Sequence, residues 1–166
     1  MIGEISRLPF GPLWSWTNKP TDEEGHKAKT LCYALKRYQV FNKDLDAIKM
    51  AVDSLDSRMG SLPFSDFFSG EVALVPIPSS KPTRPDDVWV SRDICDEMEK
   101  RGLGLKLELL KRAYPIRRSS LSPPGERPSP IEHYNSMRGR KIERIPTRVI
   151  LVDDVITKGH TMLGSA

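Results

Sequence analysis

The stretch VILVDDVITKGHT, Val149 to Thr161, constrains the fold of this chain more than any other part of its 166 residues. An unbroken aliphatic run leads directly into two adjacent aspartates and then into a polar loop with a glycine. Such a run is typical of a strand buried on both faces of a parallel sheet. Ligands in open α/β sheets bind beyond the carboxyl ends of the strands, so Asp153 and Asp154 stand where a binding site is expected.

These two carboxylates need a partner, because adjacent like charges at a strand end repel each other and lose solvation. A divalent cation such as Mg²⁺ would compensate them, and so would the paired hydroxyl groups of a ribose. The next loop supplies hydroxyls, a cation and a flexible glycine, and it leads into a predicted helix whose free N–H groups favour a phosphate. We therefore interpret Asp153 and Asp154 as ligands of a sugar phosphate. The predicted phosphate-binding residues are Thr157, Lys158, Gly159, His160 and Thr161.

Two other interpretations of the Asp-Asp pair are weaker. A Walker-B-like magnesium site requires a P-loop, and no Gly-x4-Gly-Lys-[Ser/Thr] motif occurs in the sequence. A strand that merely has a polar exit would explain a lone acidic pair, but it does not explain the following Thr-x-Gly-x-Thr pattern.

A second aliphatic run, Val72 to Val75, predicts another buried strand, which should end where Pro76 and Pro78 cannot donate hydrogen bonds. A polar, basic loop follows, and Pro85-Asp86-Asp87 predicts the start of a helix with apolar residues four apart. Alternation over 103–110 predicts one further strand. The order strand, helix, strand, long loop, strand predicts an α/β domain with a parallel sheet.

The N-terminal part, 1–70, predicts an irregular arm and two helices packed on this core. One helix should start at Thr21-Asp22-Glu23-Glu24, and the second, capped by Asn42, carries an apolar stripe from Leu45 to Met59. The α/β core is assigned to 71–166. Only five residues follow Thr161, fewer than a covering helix needs, so we expect the core to be incomplete at its C-terminus.

Positive charge is concentrated in one segment. Between Lys111 and Arg148 there are ten Lys or Arg and three Asp or Glu, a local net charge of +7 in a chain of +4. This indicates an anionic ligand, either nucleic acid or a phosphorylated small molecule, with a solvated basic loop as an equal alternative. The region 111–147 is rich in Pro and Ser and predicts a long irregular loop, which is more often functional or disordered than neutral.

The sequence shows no targeting signal and no cysteine motif for zinc or disulfides. No apolar run approaches the ~20 residues that span a bilayer, and the N-terminus has charges where a signal peptide is apolar. The two cysteines, Cys32 and Cys95, show no zinc or disulfide pattern and predict small buried side chains. We expect a cytoplasmic protein without a membrane partner.

Several stretches of the sequence resemble those of a known protein family. VILVDDVITKGHT resembles the signature with which type I phosphoribosyltransferases bind 5-phosphoribosyl-1-pyrophosphate (PRPP), with departures at Lys158 and His160, where the family usually has small residues. VALVPIPSSK resembles the first core strand and pyrophosphate loop, with Ser79, Ser80 and Lys81 at the contact positions. The region 110–138 resembles the flexible loop of the ComF-like branch. The N-terminal cysteine pairs of many ComF-like proteins are missing, so no zinc is expected.

The resemblance implies a phosphoribosyltransferase-like, Rossmann-like core with a parallel sheet. It implies an enzyme that transfers phosphoribose between PRPP and a nitrogenous base, with Mg²⁺ bound through PRPP and through Asp153 or Asp154. It also implies a loop that closes over the site, and the candidate loop residues are Tyr114, Arg117, Arg118 and Arg127. The alternative is a PRPP-binding regulator, or a ComF-like protein associated with DNA uptake, without turnover. Association through an uncovered sheet would give a homodimer. The sequence leaves the acceptor base open.

Overall fold

The computed structural model describes residues 11–15, 17, 19–41, 45–84, 86–118, 122–123, 125–144, 146–156 and 159–166, without the side chains of 36–41 and 45–46. Its elements in chain order are α1 (Glu23–Phe41), α2 (Leu45–Arg58), β1 (Val72–Pro76), α3 (Val90–Lys100), β2 (Leu105–Lys106), β3 (Leu110–Arg112), α4 (Pro130–Asn135), β4 (Met137–Gly139), β5 (Arg148–Val152) and α5 (His160–Ser165). Two short 3₁₀ turns, Met59–Ser61 and Ser65–Phe68, lie between α2 and β1. The predicted α/β class is confirmed.

The main sheet has three parallel strands in the order β2-β1-β5. β1 is central, and its register with β5 runs from Val72 opposite Arg148 to Pro76 opposite Val152. All five residues of β1 are buried, as its apolar sequence predicts for a strand covered on both faces. The pairing continues past β1, because the Ile77 N–H donates to the Val152 carbonyl at 3.0 Å. The exits of β1 and β5 therefore lie side by side.

The prediction that β5 is a buried strand was wrong. The sequence predicts a buried strand, but Arg148 and Val149 are exposed, and the rest of β5 is only half-buried. β5 pairs with β1 on one side, and no second described strand pairs with its other side, so part of its apolar surface is uncovered. An aliphatic sequence identifies the strand, but it does not distinguish the centre of a sheet from its edge.

The N-terminal helices and the sheet share one core. α1 begins where expected, because the Asp22 carboxylate accepts the Gly25 N–H at 2.7 Å. The α2 stripe packs against α3, and α3 in turn packs against β1. This core contains Ile48, Val52, Leu55, Val72, Leu74, Val90, Ile94 and Met98. The predicted Asn42 cap lies outside the described residues.

Both cysteines are buried, as predicted for small core side chains. Burial raises the pKa of the Cys95 thiol, which keeps it protonated and unreactive at neutral pH. Within the described residues, no helix has the length and apolar character required to cross a membrane.

α3 begins later than predicted. Pro85 lies outside the described residues, and Asp87 closes a turn, since its N–H donates to the Arg84 carbonyl at 3.1 Å. Its carboxylate in turn accepts the Arg84 N–H at 3.0 Å. Trp89 is the residue before the helix, and α3 starts at Val90. Asp87 therefore stabilises a turn before the helix rather than the first turn of the helix itself.

The predicted strand 103–110 is divided between two sheets. β2 pairs with β1, whereas β3 pairs antiparallel with β4, from Leu110 opposite Gly139 to Arg112 opposite Met137. Between them the Leu109 N–H donates to the Leu107 carbonyl at 2.8 Å, which marks a tight turn. Alternation of leucines persists through such a turn, so the pattern alone cannot locate it.

The region 111–147 is more ordered than its composition predicts, because it contains part of β3, all of α4 and β4. α4 begins with a capping box: the Ser129 hydroxyl accepts the Glu132 N–H at 3.4 Å, and the Glu132 carboxylate accepts the Ser129 N–H at 2.8 Å. Pro130 occupies its first turn. The expectation of one long irregular loop was therefore wrong for these parts.

Candidate functional site

The acidic pair follows β5 directly and is held from a distant part of the chain. Asp153 Oδ1 accepts the Ser91 hydroxyl at 3.3 Å and the Asp154 N–H at 3.0 Å. Ser91 is buried in the first turn of α3. Both aspartates are half-buried. Ser91 was not predicted from the sequence, because it stands 62 positions from its partner and carries no motif.

Burial and the neighbouring Asp154 charge raise the pKa of Asp153 well above its ordinary value. The hydrogen bonds from Ser91 and from the Asp154 N–H oppose this shift without overcoming it. A carboxyl group in this state is stabilised by a cation, or by hydroxyl donors that favour its ionised form. The local electrostatics therefore suit a ligand that brings either.

The start of α5 carries the predicted phosphate-binding residues that the structure describes. Thr157 and Lys158 lie outside the described residues. Gly159 precedes the helix with φ 70° and ψ 8°, a left-handed conformation in which a residue with a side chain is strained. The glycine of the Thr-x-Gly-x-Thr pattern thus has a conformational reason.

His160 and Thr161 make side-chain contacts with the segment before and within α4. His160 Nδ1 lies 2.9 Å from the Pro128 carbonyl oxygen, and Thr161 Oγ1 lies 3.4 Å from His133 Nε2. The large side chain at 160, where the resembling family has a small one, therefore links α5 to the long segment. These contacts use groups that the sequence assigns to a phosphate.

The loop after β1 carries Ser79, Ser80 and Lys81 at the same edge of the sheet as the acidic pair. The Ser79 hydroxyl donates to the Lys81 carbonyl at 2.8 Å, so it shapes the loop. The Ser80 carbonyl accepts the Ile116 N–H at 2.8 Å, which joins this loop to the basic segment. The Lys81 side chain is exposed. Of the three, Lys81 is the most available to an anion.

Arg112 is a buried cation that fixes this loop. Its Nε donates to the Ser79 carbonyl at 2.8 Å, and one Nη donates to the Pro78 carbonyl at 3.3 Å. The other Nη donates to the His133 carbonyl at 3.3 Å and to the Ser136 hydroxyl. Burial lowers the pKa of Arg112 to about 10, so it stays charged at neutral pH. The resemblance includes Arg112, but the sequence gives no sign of its role, because its partners are remote.

His133 lies beside Arg112 and is also buried. Burial and the Arg112 charge lower the pKa of His133 to about 4, so its imidazole is neutral at pH 7. Its Nδ1 has no hydrogen-bond partner among the described residues. No sequence pattern singled out His133.

The four predicted loop residues do not form one cluster. Tyr114 is exposed, with the Arg138 guanidinium 5.6 Å from its ring centre. Arg117 forms an exposed salt bridge with Glu126 at 2.6 Å. Arg118 is exposed, and Arg127 is half-buried, with an Nε that has no partner among the described residues.

The carboxyl oxygens of the acidic pair are of the donor type that Mg²⁺ prefers. Among the described residues no group of three or more His, Cys, Asp or Glu side chains is arranged for a metal ion. Mg²⁺ is commonly bound by one or two carboxylates together with substrate phosphates and waters. The Asp153 carboxyl, whose pKa is raised by burial and by Asp154, is the kind of oxygen donor that such an ion would favour.

In comparisons with family models, curated proteins and solved structures, nothing matches this chain. The resemblance of Val149 to Thr161 to a PRPP signature therefore remains a prediction.

Proposed function

We propose that this protein binds Mg–PRPP at the exits of β1 and β5 and transfers its phosphoribosyl group to or from a nitrogenous base. The observation that carries the proposal is the parallel pairing of these two strands. It brings the acidic pair and the Ser79–Lys81 loop out of the same sheet edge, on strands about 4.8 Å apart. The resemblance assigns one to the ribose and the other to the pyrophosphate, and a single PRPP molecule must meet both.

The chemistry requires positioning and charge stabilisation. A nitrogen atom of the base forms a bond to C1 of the ribose while the C1–O bond to pyrophosphate breaks, through an oxocarbenium-like transition state. In our proposal Asp153 and Asp154 hold the ribose hydroxyls, and the 157–161 loop holds the 5′-phosphate. Lys81 meets the pyrophosphate, and Arg112 keeps its loop in place. Mg²⁺, when bound, would neutralise charge on the leaving pyrophosphate.

The proposal predicts a measurable change in the pKa of Asp153 when the ligand binds. Ribose hydroxyls and a nearby cation both favour the ionised carboxylate, so ligand binding lowers a pKa that is raised in the free protein. Binding should therefore release protons in the pH range where free Asp153 is still protonated.

Calorimetry with Mg–PRPP tests the assignment. Asp153→Asn and Asp154→Asn should each weaken binding by on the order of 1–3 kcal/mol, the scale for loss of charge-assisted hydrogen bonds. Asp56→Asn, on the exposed side of α2, is the matched control and should bind as the parent does. Unchanged affinity in both site variants would refute the ribose assignment. Release of pyrophosphate with a panel of bases then identifies the acceptor.

The concentration of basic residues favours a second candidate, a protein that binds PRPP or nucleic acid without turnover. The exposed cations of the basic segment include Lys111, Arg117, Arg118, Arg138 and Arg140. PRPP binding without pyrophosphate release would indicate a regulator. Binding of DNA that weakens steeply with salt, without PRPP binding, would indicate a nucleic-acid protein.

A further inference from the structure

A cavity of about 350 Å³ lies beside the exit of β1, on the flank towards β2 and β3. Five of its lining residues are cationic and one is acidic: Arg84, Arg92, Lys111, Arg112, Arg140 and Glu108. Neither aspartate of the acidic pair lines it. Its volume is within the range of small-molecule sites, about 300–1,000 Å³.

Most of this positive charge is uncompensated. Arg140 lies 3.6 Å from Glu108, and Arg92 lies 3.4 Å from Asp93, which is outside the cavity lining. Within the described part of the chain, the side chains of Arg84 and Lys111 form no salt bridge. The cavity therefore carries more cations than its surroundings neutralise.

Arg112 adds a buried charge to the cavity wall. Its hydrogen bonds go to three carbonyl oxygens and one hydroxyl, all of them neutral acceptors. A buried cation without an anionic partner is costly, and converging like charges in a concave, low-dielectric site raise the local potential. Here the five cationic side chains line one concave volume.

We propose that this cavity is a second anion site, which binds a phosphorylated small molecule such as a nucleotide or an inorganic polyphosphate. Guanidinium groups bind phosphate oxygens in a bidentate geometry, and an ammonium group adds a point charge. Arg84, on the loop after β1, and Lys111, on β3, both line the cavity. Neither aspartate of the acidic pair lines this cavity, so the inference does not require that PRPP is the ligand at Asp153.

Calorimetry with inorganic tripolyphosphate, in the absence of PRPP, tests the cavity. The double variant Arg84→Glu/Lys111→Glu should bind it at least about tenfold more weakly, because loss of one charge-assisted contact alone costs about 1.4 kcal/mol, which is a factor of ten. Arg84→Gln/Lys111→Gln should lose less, which guards against effects of charge reversal on folding. Lys141→Glu, in the same basic segment but outside the cavity lining, is the control and should bind normally. Titration with ATP beside tripolyphosphate distinguishes a nucleotide from the inorganic ion.

Separate titrations with Mg–PRPP and with tripolyphosphate distinguish the two sites. The cavity variants should keep the parental affinity for Mg–PRPP, and Asp153→Asn should keep the parental affinity for tripolyphosphate. Equal loss of both ligands in the cavity variants would show one site and overturn the inference. The inference would also be overturned if Lys141→Glu weakened tripolyphosphate binding as much as the cavity variants do, or if the parent bound no tripolyphosphate. The same holds if the cavity variants weakened only the binding of a DNA oligonucleotide. If Mg–PRPP does not bind the parent at all, the tripolyphosphate result still decides the cavity.

Discussion

Asp153 keeps its proton to higher pH in the folded protein than in the unfolded chain, because burial and the Asp154 charge raise its pKa. Between the unfolded pKa, about 4, and the raised folded value, the folded state binds more protons, so stability falls as pH rises. Asp153→Asn removes this loss. We expect the variant to be more stable than the parent at pH 7, by on the order of 1 kcal/mol, or about 2–4 °C in Tm.

Urea unfolding between pH 3 and pH 8 measures this difference. The advantage of Asp153→Asn should disappear near pH 3, where the parent carboxyl is protonated in both states. A variant that is less stable than the parent at pH 7 would show that Asp153 contributes to folding. A gain in stability combined with weaker Mg–PRPP binding would identify a residue retained for its ligand.

Arg112 allows a second prediction, because its side chain joins the loop after β1 to α4 and β4 through four hydrogen bonds. Arg112→Met leaves buried carbonyls without donors and should destabilise the fold by about 2–4 kcal/mol. Arg112→Lys keeps the charge but not the planar fork, so it should recover only part of the loss. Arg118→Met, on an exposed side chain of the same segment, should change little. Full stability of Arg112→Met in urea unfolding would contradict this role.

Among the elements, α4 and α5 pack too closely for a side chain at Gly164. A Cβ there would lie 2.5 Å from the Pro130 carbonyl oxygen and 2.6 Å from His133 Cβ. Gly164→Ala should therefore separate the two helices and cost about 1–3 kcal/mol. Gly139→Ala, with no atom within 4 Å of its new Cβ, is the matched control. Equal unfolding midpoints for both variants would mean that α4 does not depend on this contact.

The part of the basic segment that lies between β3 and α4 is expected to close over a bound ligand. Arg117 and Arg118 are exposed sites for trypsin, while the segment is tied to the β1 loop through the Ile116–Ser80 hydrogen bond. Mg–PRPP should slow cleavage at these arginines, because binding orders the loop and withdraws it from the protease. Mass spectrometry of timed digests measures the rate at each site. Equal rates with and without ligand would exclude a lid.

The elements that the sequence predicts well are those whose signal is local. The α2 stripe, the aliphatic β1 and the apolar spacing of α3 follow from side-chain periodicity, and their residues form the core. The turn after Leu107 and the edge position of β5 depend on pairing between distant strands, which periodicity does not encode. α4 was missed because the prolines and serines around it favour a loop, although Ser129 and Glu132 form a local helix-start signal.

In the candidate site, too, some residues are predicted from the sequence and others are not. The position of the acidic pair at a strand exit follows from the order of residues along the chain. Ser91, Arg112 and His133 come to the site through contacts between segments 20 or more positions apart, and no motif marks them.

For the whole molecule, the pH dependence of stability reflects two groups, His133 and Asp153, whose shifted pKa values have opposite effects. His133 has a pKa of about 4, lowered by burial and by the charges of Arg112 and His160. The unfolded chain therefore binds more protons than the folded one between about pH 6.5 and pH 4, and stability falls as pH falls through this range. Asp153 works in the other direction, since its folded state binds more protons than its unfolded state above about pH 4.

The two contributions can be separated by single and double variants in urea unfolding. His133→Gln removes the titrating group that lowers the free energy of unfolding towards acid pH. The stability of this variant should therefore fall less than that of the parent between pH 6.5 and pH 4.5, by up to about 1.4 kcal/mol per pH unit. Asp153→Asn should instead steepen the net fall towards acid, because it removes the opposing term. The double variant should lie between them, since the two groups titrate independently. A parent and a His133→Gln variant with the same slope would show that His133 titrates alike in the folded and unfolded states, and that its burial beside Arg112 does not control acid stability.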